Sequence, residues 1–265
     1  GMQDNHVLAC AKHFPGHGDT DADSHKTLPT LNHLKYRLEE VELVPFKKLI
    51  NNGLGSVMVA HLHIPSLDNT ENLAATLSPK IVNGLLKDEL NFTGLSITDA
   101  LNMKGVSKFY EPGIVDVKAL LAGNDVLLFA ENVPKAIEEI KNAIAKKQIS
   151  QKEVDERCLK ILKAKQWMGL SNYKSVDISV IADEIILTET QLLDKKLVKS
   201  SLTLLQNYDN LLPLKRLDTL KIASVSIGEN GQYFQDMLSN YAPVTHFTIS
   251  EKATASEQAV LLNKL

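Results

Sequence analysis

Cysteine is scarce in this chain: Cys10 and Cys158 are the two among 265 residues. One falls in a short apolar run and the other in a late helical stretch. They build no disulfide framework and read as buried free thiols. Long apolar runs are missing as well. None approaches the roughly 18 residues of a membrane span, so no span is expected. Nor does one sign of charge dominate. With 29 Lys and Arg against 32 Asp and Glu, the net charge is −3. That balance offers no electrostatic ground for nucleic acid or an anionic membrane as partner. What remains is ordinary, with 44% hydrophobic and 23% charged residues. These are the proportions of a folded chain holding one large domain or two ordinary ones. Gly1 ahead of Met2 reads as the scar of a removed tag, which would place the native start upstream.

One polar stretch breaks this ordinariness. Residues 12–25 (Lys-His-Phe-Pro-Gly-His-Gly-Asp-Thr-Asp-Ala-Asp-Ser-His) hold three histidines, three aspartates and a lysine. They follow residues 7–11, an apolar run that reads as a buried strand, and Pro15, Gly16 and Gly18 then interrupt regular structure. So many titratable groups exclude a core position. The stretch is either a solvated surface or a reaction site, and the rest of the chain favours the second.

Apolar residues at Leu38, Val41, Leu43, Val44, Phe46, Leu49 and Ile50 predict one helix over 34–52, ended by Gly53. Residues 56–60 read as a second strand, followed by His61 and His63, which alternation places on one face. Ser78 as cap and Pro79 at the first helical position open a helix to about residue 90. Residues 94–98 form a third strand ending at Asp99, and a helix near 113–121 precedes a fourth strand over 125–129, with Glu131 beyond it. Helices follow over 133–146 and 151–168, the second opened by a Ser150/Glu153 capping box. Continuous apolar strands alternating with amphipathic helices mean a parallel sheet covered by helices. Lys12, His13, His61 and Asp99 fall at the C-terminal strand ends, where (β/α)8 barrels and open α/β sheets alike place their chemistry. A complete barrel takes about 250 residues, and the four units here fill only the first 170 or so. After a polar linker over 171–180, residues 181–265 read as a second α/β domain. A helix is expected over 189–200 and strands over 202–206, 221–226 and 244–249. Gly228 and Gly231 lack the third glycine of a dinucleotide loop and read as an ordinary strand-to-helix turn.

Asp23, two residues before His25, is placed to fix the imidazole's tautomer and raise its basicity, which suits proton transfer near neutral pH. A lone carboxylate at a strand end, as Asp99 is, suits a nucleophile that forms a glycosyl ester; a helix cap is the alternative. His13, directly after a strand, reads as a ligand contact, whereas His17, between two glycines, reads as a loop stabiliser. The competing reading is a metal-dependent hydrolase. His61 and His63, supplemented by His13, His17 or His25, would then hold zinc and activate its water. That reading leaves the Asp23–His25 grouping and Asp99 unexplained.

The motif from Lys12 to Thr20 with Asp23-Ser24-His25 resembles glycoside hydrolase family 3, more narrowly its β-N-acetylglucosaminidase (β-N-acetylhexosaminidase) branch. Val57-Met58-Val59-Ala60-His61, Thr76-Leu77-Ser78-Pro79 and Ile97-Thr98-Asp99-Ala100-Leu101-Asn102-Met103 match further family segments in order, and the resemblance runs over about residues 5–265. It implies an α/β fold in which 1–170 is the C-terminal half of a (β/α)8 TIM-type barrel and 181–265 part of an α/β sandwich domain. It also implies a retaining mechanism with Asp99 as nucleophile, His25 as general acid and base, and Asp23 as its dyad partner. Lys12 and His13 would hydrogen-bond sugar hydroxyls, with no metal and no cofactor. The segment at His61 would line the barrel mouth without a catalytic step. Terminal β-linked N-acetylglucosamine on peptidoglycan- or chitin-derived glycans is the implied substrate, in bacterial cytoplasm or periplasm. A neutral acid/base adds little negative charge beside the ester, so phosphate is an alternative attacking group. Half a barrel leaves strand edges open. The missing N-terminal half, or self-association with another copy, is expected to cover them, and a truncated non-catalytic fragment is the further alternative.

Overall fold

Three short strands frame the N-terminal part of the chain. β1 (Cys10–Phe14), β2 (Ser56–Val59) and β3 (Leu95–Thr98) pair in that order, all parallel. Cys10 lies opposite Ser56, and β2 runs in unbroken register along β3 from Ser56–Leu95 to Val59–Thr98. The β1 register slips between Ala11 and Phe14. The computed structural model describes every residue except 21, 24, 25, 229 and 230. It divides into two units, Gly1–Ser175 and Val176–Leu265.

In the first unit the helices Leu43–Asn51 and Lys80–Glu89 bury their apolar faces with the sheet. Phe14 stands edge-on to Phe46, ring centres 5.2 Å apart at 89°, and packs in one cluster with Leu38, Leu43, Val57, Val59 and Leu86. Full burial of such a side chain contributes about 1.5–3 kcal/mol. A second cluster of Leu101, Val106, Val115 and Ala119 gathers the segments that follow β3. Ser78 acts as the sequence suggests: its Oγ accepts the Ile81 N–H at 3.3 Å ahead of the Lys80–Glu89 helix. That helix is wound wide, with the Leu90 N–H reaching five residues back to Leu85.

Four expected elements differ. The first strand, expected as a buried run over residues 7–11, lies at Cys10–Phe14 with Lys12 and His13 inside it, and none of residues 7–11 is buried. The single helix over 34–52 is two, Lys35–Glu40 and Leu43–Asn51. Pro45 gives the reason, because its ring would clash with the Val41 carbonyl four residues back and end the first helix there. The fourth strand over 125–129 shrinks to one parallel bridge, Ile97 with Val126. The Thr98 hydroxyl takes the Leu128 N–H at 2.8 Å, and Phe129 turns away with φ +50°. Residues 202–206 form no strand, and no described strand lies alongside them to pair. The thiols differ too, since Cys10 and Cys158 are both exposed. Cys10 lies on the outer strand of the three, and the helix carrying Cys158, Gln151–Trp167, buries none of its residues.

The second unit holds β4 (Ile222–Ile227) and β5 (Val244–Ile249), parallel and in register throughout. Gly228, at φ +88°, turns the chain out of β4, and the helix Gln232–Ser239 then crosses over to β5. Gln235, buried on that helix, donates to the Phe247 carbonyl at 2.9 Å. No helix among the described residues is long and apolar enough to cross a membrane.

Candidate active site

Because β1, β2 and β3 are parallel, the residues at their C-terminal ends come together. Asp99 follows β3 directly, and its N–H donates to the Val59 carbonyl at 3.0 Å, carrying the ladder one residue past the strand. Its Oδ1 accepts the Ala100 N–H at 2.9 Å. Its Oδ2 lies 3.8 Å from His13 Nε2, with the two side chains 13% and 30% exposed. That separation is an electrostatic contact rather than a hydrogen bond.

His61 sits beside this pair, fully buried. Its Nε2 is 2.9 Å from the Ala100 carbonyl. A carbonyl only accepts, so Nε2 carries the proton and Nδ1 is a bare lone pair. Nδ1 is buried with no hydrogen-bond partner among the described residues. Burial pushes the imidazole's pKa down; the Ala100 carbonyl and the Asp99 charge pull it back up, and His13 adds to the lowering. The ring is held neutral.

Beyond β1 the loop is tied down by its own polar groups. Thr20 and His17 Nδ1 are 3.0 Å apart, and the His17 ring meets the His13 ring edge-on at 5.9 Å. His33 Nε2 pairs with Asp19 at 2.7 Å, while the Ser66 hydroxyl donates to the His33 carbonyl at 2.6 Å. Gly16 is needed for this course. Its φ is +140°, and a Cβ there would stand 2.6 Å from Glu42 Cβ. Glu42 is itself fixed, since Arg37 donates to both of its carboxylate oxygens at 2.7 and 2.6 Å.

Of the residues singled out from the sequence, the structure brings His13 and Asp99 together. Lys12 is exposed on β1, and Asp23 is exposed in the loop. The Asp23 carbonyl accepts the Lys26 and Thr27 amides at 3.0 Å each. His25 lies outside the described residues. Sequence reasoning assigned His61 to a lining role and missed its position directly behind Asp99. The signal was available in the step from apolar strand to His61, paired in sequence space with the Asp99-Ala100 step one strand further on. For the alternative metal reading, no three His, Cys, Asp or Glu side chains among the described residues are grouped to hold an ion, and His25 lies outside those residues.

Fold and site together define an α/β protein in which a carboxylate and two imidazoles converge at the C-terminal ends of parallel strands. Residues 1–164 match the glycosyl hydrolase family 3 N terminal domain, and the chain belongs to glycosyl hydrolase family 3. It is 29% identical over 228 residues to beta-hexosaminidase A of Pseudoalteromonas piscicida, covering 79% of this chain and 38% of that protein. Over 138 residues it is 38% identical to a beta-hexosaminidase of Nitrosospira multiformis, covering 52% of this chain and 38% of the relative. Among solved structures it is similar to a glycoside hydrolase family 3 beta-N-acetylglucosaminidase from Paenibacillus sp. str. FPU-7. The TM-score is 0.79 at 30% identity, over 99% of this chain and 52% of that one. The chain spans about two fifths of the length of the curated relatives it matches.

Proposed function

We propose that this chain carries the reacting groups of a retaining β-N-acetylglucosaminidase that removes terminal β-linked N-acetylglucosamine from peptidoglycan- or chitin-derived glycans. The observation that carries the reading is the Asp99 carboxylate, largely buried at the end of β3 with one oxygen pinned by Ala100 and the other facing His13. In the first step Asp99 Oδ2 bonds to the anomeric carbon while the glycosidic oxygen takes a proton from His25 and departs. In the second, His25 takes a proton from water, whose oxygen displaces Asp99 from the sugar and restores both groups. Asp23 orients the His25 ring, and Lys12 and His13 hydrogen-bond the sugar hydroxyls. The names of the similar proteins support the aminosugar, and the family membership supports glycoside chemistry.

The same proposal takes the first unit as the C-terminal half of a (β/α)8 barrel, running to residue 170, with 171–180 as linker and 181–265 as part of a sandwich domain. The parallel order β1-β2-β3, continued by the bridge from Ile97 to Val126, supports it. On this view the family's preceding strands, or a second copy, complete the sheet beside β1. The test is turnover of aryl N-acetyl-β-glucosaminides. Asp99→Ala is expected to abolish turnover of every leaving group. His25→Ala is expected to spare activated leaving groups, which need little protonation, and to lose unactivated ones. Normal rates for both variants on an unactivated sugar would overturn the reading.

A further inference from the structure

We propose that His61 is a positioning residue for the nucleophile: by donating its Nε2–H to the Ala100 carbonyl it holds the turn that aims the Asp99 carboxylate. The inference rests on the assignment of Asp99 made above. Ala100 is fixed at both of its ends. Its N–H binds Asp99 Oδ1 at 2.9 Å, and its carbonyl accepts His61 Nε2–H at 2.9 Å from the neighbouring strand end and the Met103 N–H at 3.0 Å from the turn itself. The next peptide is held on its other side, where the Leu101 N–H donates to Leu128 at 2.9 Å. With Oδ1 engaged by Ala100, Oδ2 is the oxygen left to meet a sugar carbon. Without the His61 donor the Ala100 carbonyl would keep only the Met103 N–H, made from within the same turn, and the turn that carries both carboxylate oxygens would loosen.

The burial of His61 argues against a filler role. A leucine in this fully buried position would leave no polar atom unpartnered, whereas the imidazole leaves Nδ1 without a hydrogen bond among the described residues. A buried polar atom without a partner is retained where its other end does something an apolar group cannot. Here the other end holds the residue after the nucleophile. The charged and titratable groups facing the ring are Asp99 and His13, and burial favours the neutral ring beside them.

The experiment compares His61→Gln, which keeps a side-chain N–H donor, with His61→Leu, which keeps bulk and loses it. Each is assayed in the intact chain for kcat and KM on an aryl N-acetylglucosaminide and for the rate at which a fluorinated aminosugar labels Asp99. His61→Leu is expected to lose about 10²-fold in kcat and labelling rate with KM nearly unchanged, the loss typical of a small misplacement of a reacting group. His61→Gln is expected to recover most of it. Labelling of His61→Leu at the wild-type rate, or a loss confined to KM, would overturn the inference, as would His61→Gln behaving like His61→Leu. Failure of the wild-type chain to label at Asp99 would instead overturn the functional reading, and the inference with it. Should His61→Leu not fold, the imidazole nitrogen resonances of the wild-type chain decide. At neutral pH Nε2 is expected to carry the proton with Nδ1 bare, and the opposite tautomer would overturn the inference.

Discussion

Asp125→Asn removes one charge from the place where four segments of the first unit meet. The Asp125 side chain is 2% exposed. Its Oδ2 accepts the Ser96 N–H at 2.9 Å, the Ser96 hydroxyl at 3.1 Å and Lys160 Nζ at 2.7 Å. Its Oδ1 lies 3.8 Å from Lys87 Nζ. The carboxylate thus ties β3 to the Lys80–Glu89 and Gln151–Trp167 helices. Without it two ammonium groups face one another with Arg157 close by. That repulsion is already visible at Lys87, whose pKa is pushed down first by burial, pulled up by Asp125, and pushed down again by Lys160 and Arg157. Removing one partner of a buried pair costs about 3–5 kcal/mol. Lys87 and Lys160 are 24% and 31% exposed, so water relieves part of the loss and the lower figure, about 3 kcal/mol, applies. At about 2–4 °C per kcal/mol for a domain of this size, the melting temperature of the first unit should fall by about 6–12 °C. Thermal unfolding followed by circular dichroism measures it. Adding Lys160→Met to Asp125→Asn should cost less than the sum of the two single changes, because it also removes the stranded charge. A fall below about 3 °C for Asp125→Asn would refute the reasoning.

Asp116 offers a pH test. It is buried, with Oδ2 accepting the Gly113 N–H at 3.1 Å and Oδ1 unpartnered among the described residues. Burial raises its pKa above 3.8, against the pull of the Gly113 amide. Between 3.8 and that raised value the folded chain binds more protons than the unfolded one, so this group's contribution to stability falls as pH rises through the window. Asp116→Asn should therefore gain on the wild type as pH rises above about 4 in denaturant titrations; a difference that does not change with pH would contradict it. Gly123 tests a close approach. Its φ is +115°, and a Cβ would stand 2.0 Å from Asn83 Oδ1. Gly123→Ala should lose about 1–3 kcal/mol. Gly84→Ala, in the Lys80–Glu89 helix with nothing within 4 Å of its Cβ, should gain about 0.4–1 kcal/mol. Equal effects at the two sites would refute the steric account.

The second and third strands of the first unit were legible from short β-branched and apolar stretches bounded by glycine, Val57-Met58-Val59 after Gly55 and Leu95-Ser96-Ile97-Thr98 after Gly94, whereas the first lies further along the chain than its apolar run. Capping was legible for the same local reason: Ser150 and Glu153 satisfy each other's backbone groups within one turn. What periodicity does not carry is the effect of one residue on a distant carbonyl or neighbour. Pro45 divides a helix whose apolar spacing is continuous, and the Thr98 hydroxyl takes the amide that a fourth strand would have used. The site was legible in type more than in arrangement. A carboxylate and a histidine at strand ends announce themselves, and His13 does meet Asp99. That His61 stands behind Ala100, or that Gly16 lets the loop pass against Glu42, depends on contacts between segments far apart in sequence. Asp23 and His25 were singled out by their spacing and by the family resemblance of their motif, and their joint geometry includes a residue outside those described.

The central claim is that Asp99 forms a bond to the sugar. Incubating the chain with a fluorinated aminosugar that forms the ester but leaves slowly, followed by digestion and mass spectrometry, tests it directly. The account predicts a single added sugar on the peptide carrying Asp99, absent from Asp99→Ala. A sugar found on another residue, or none formed at all, would contradict it.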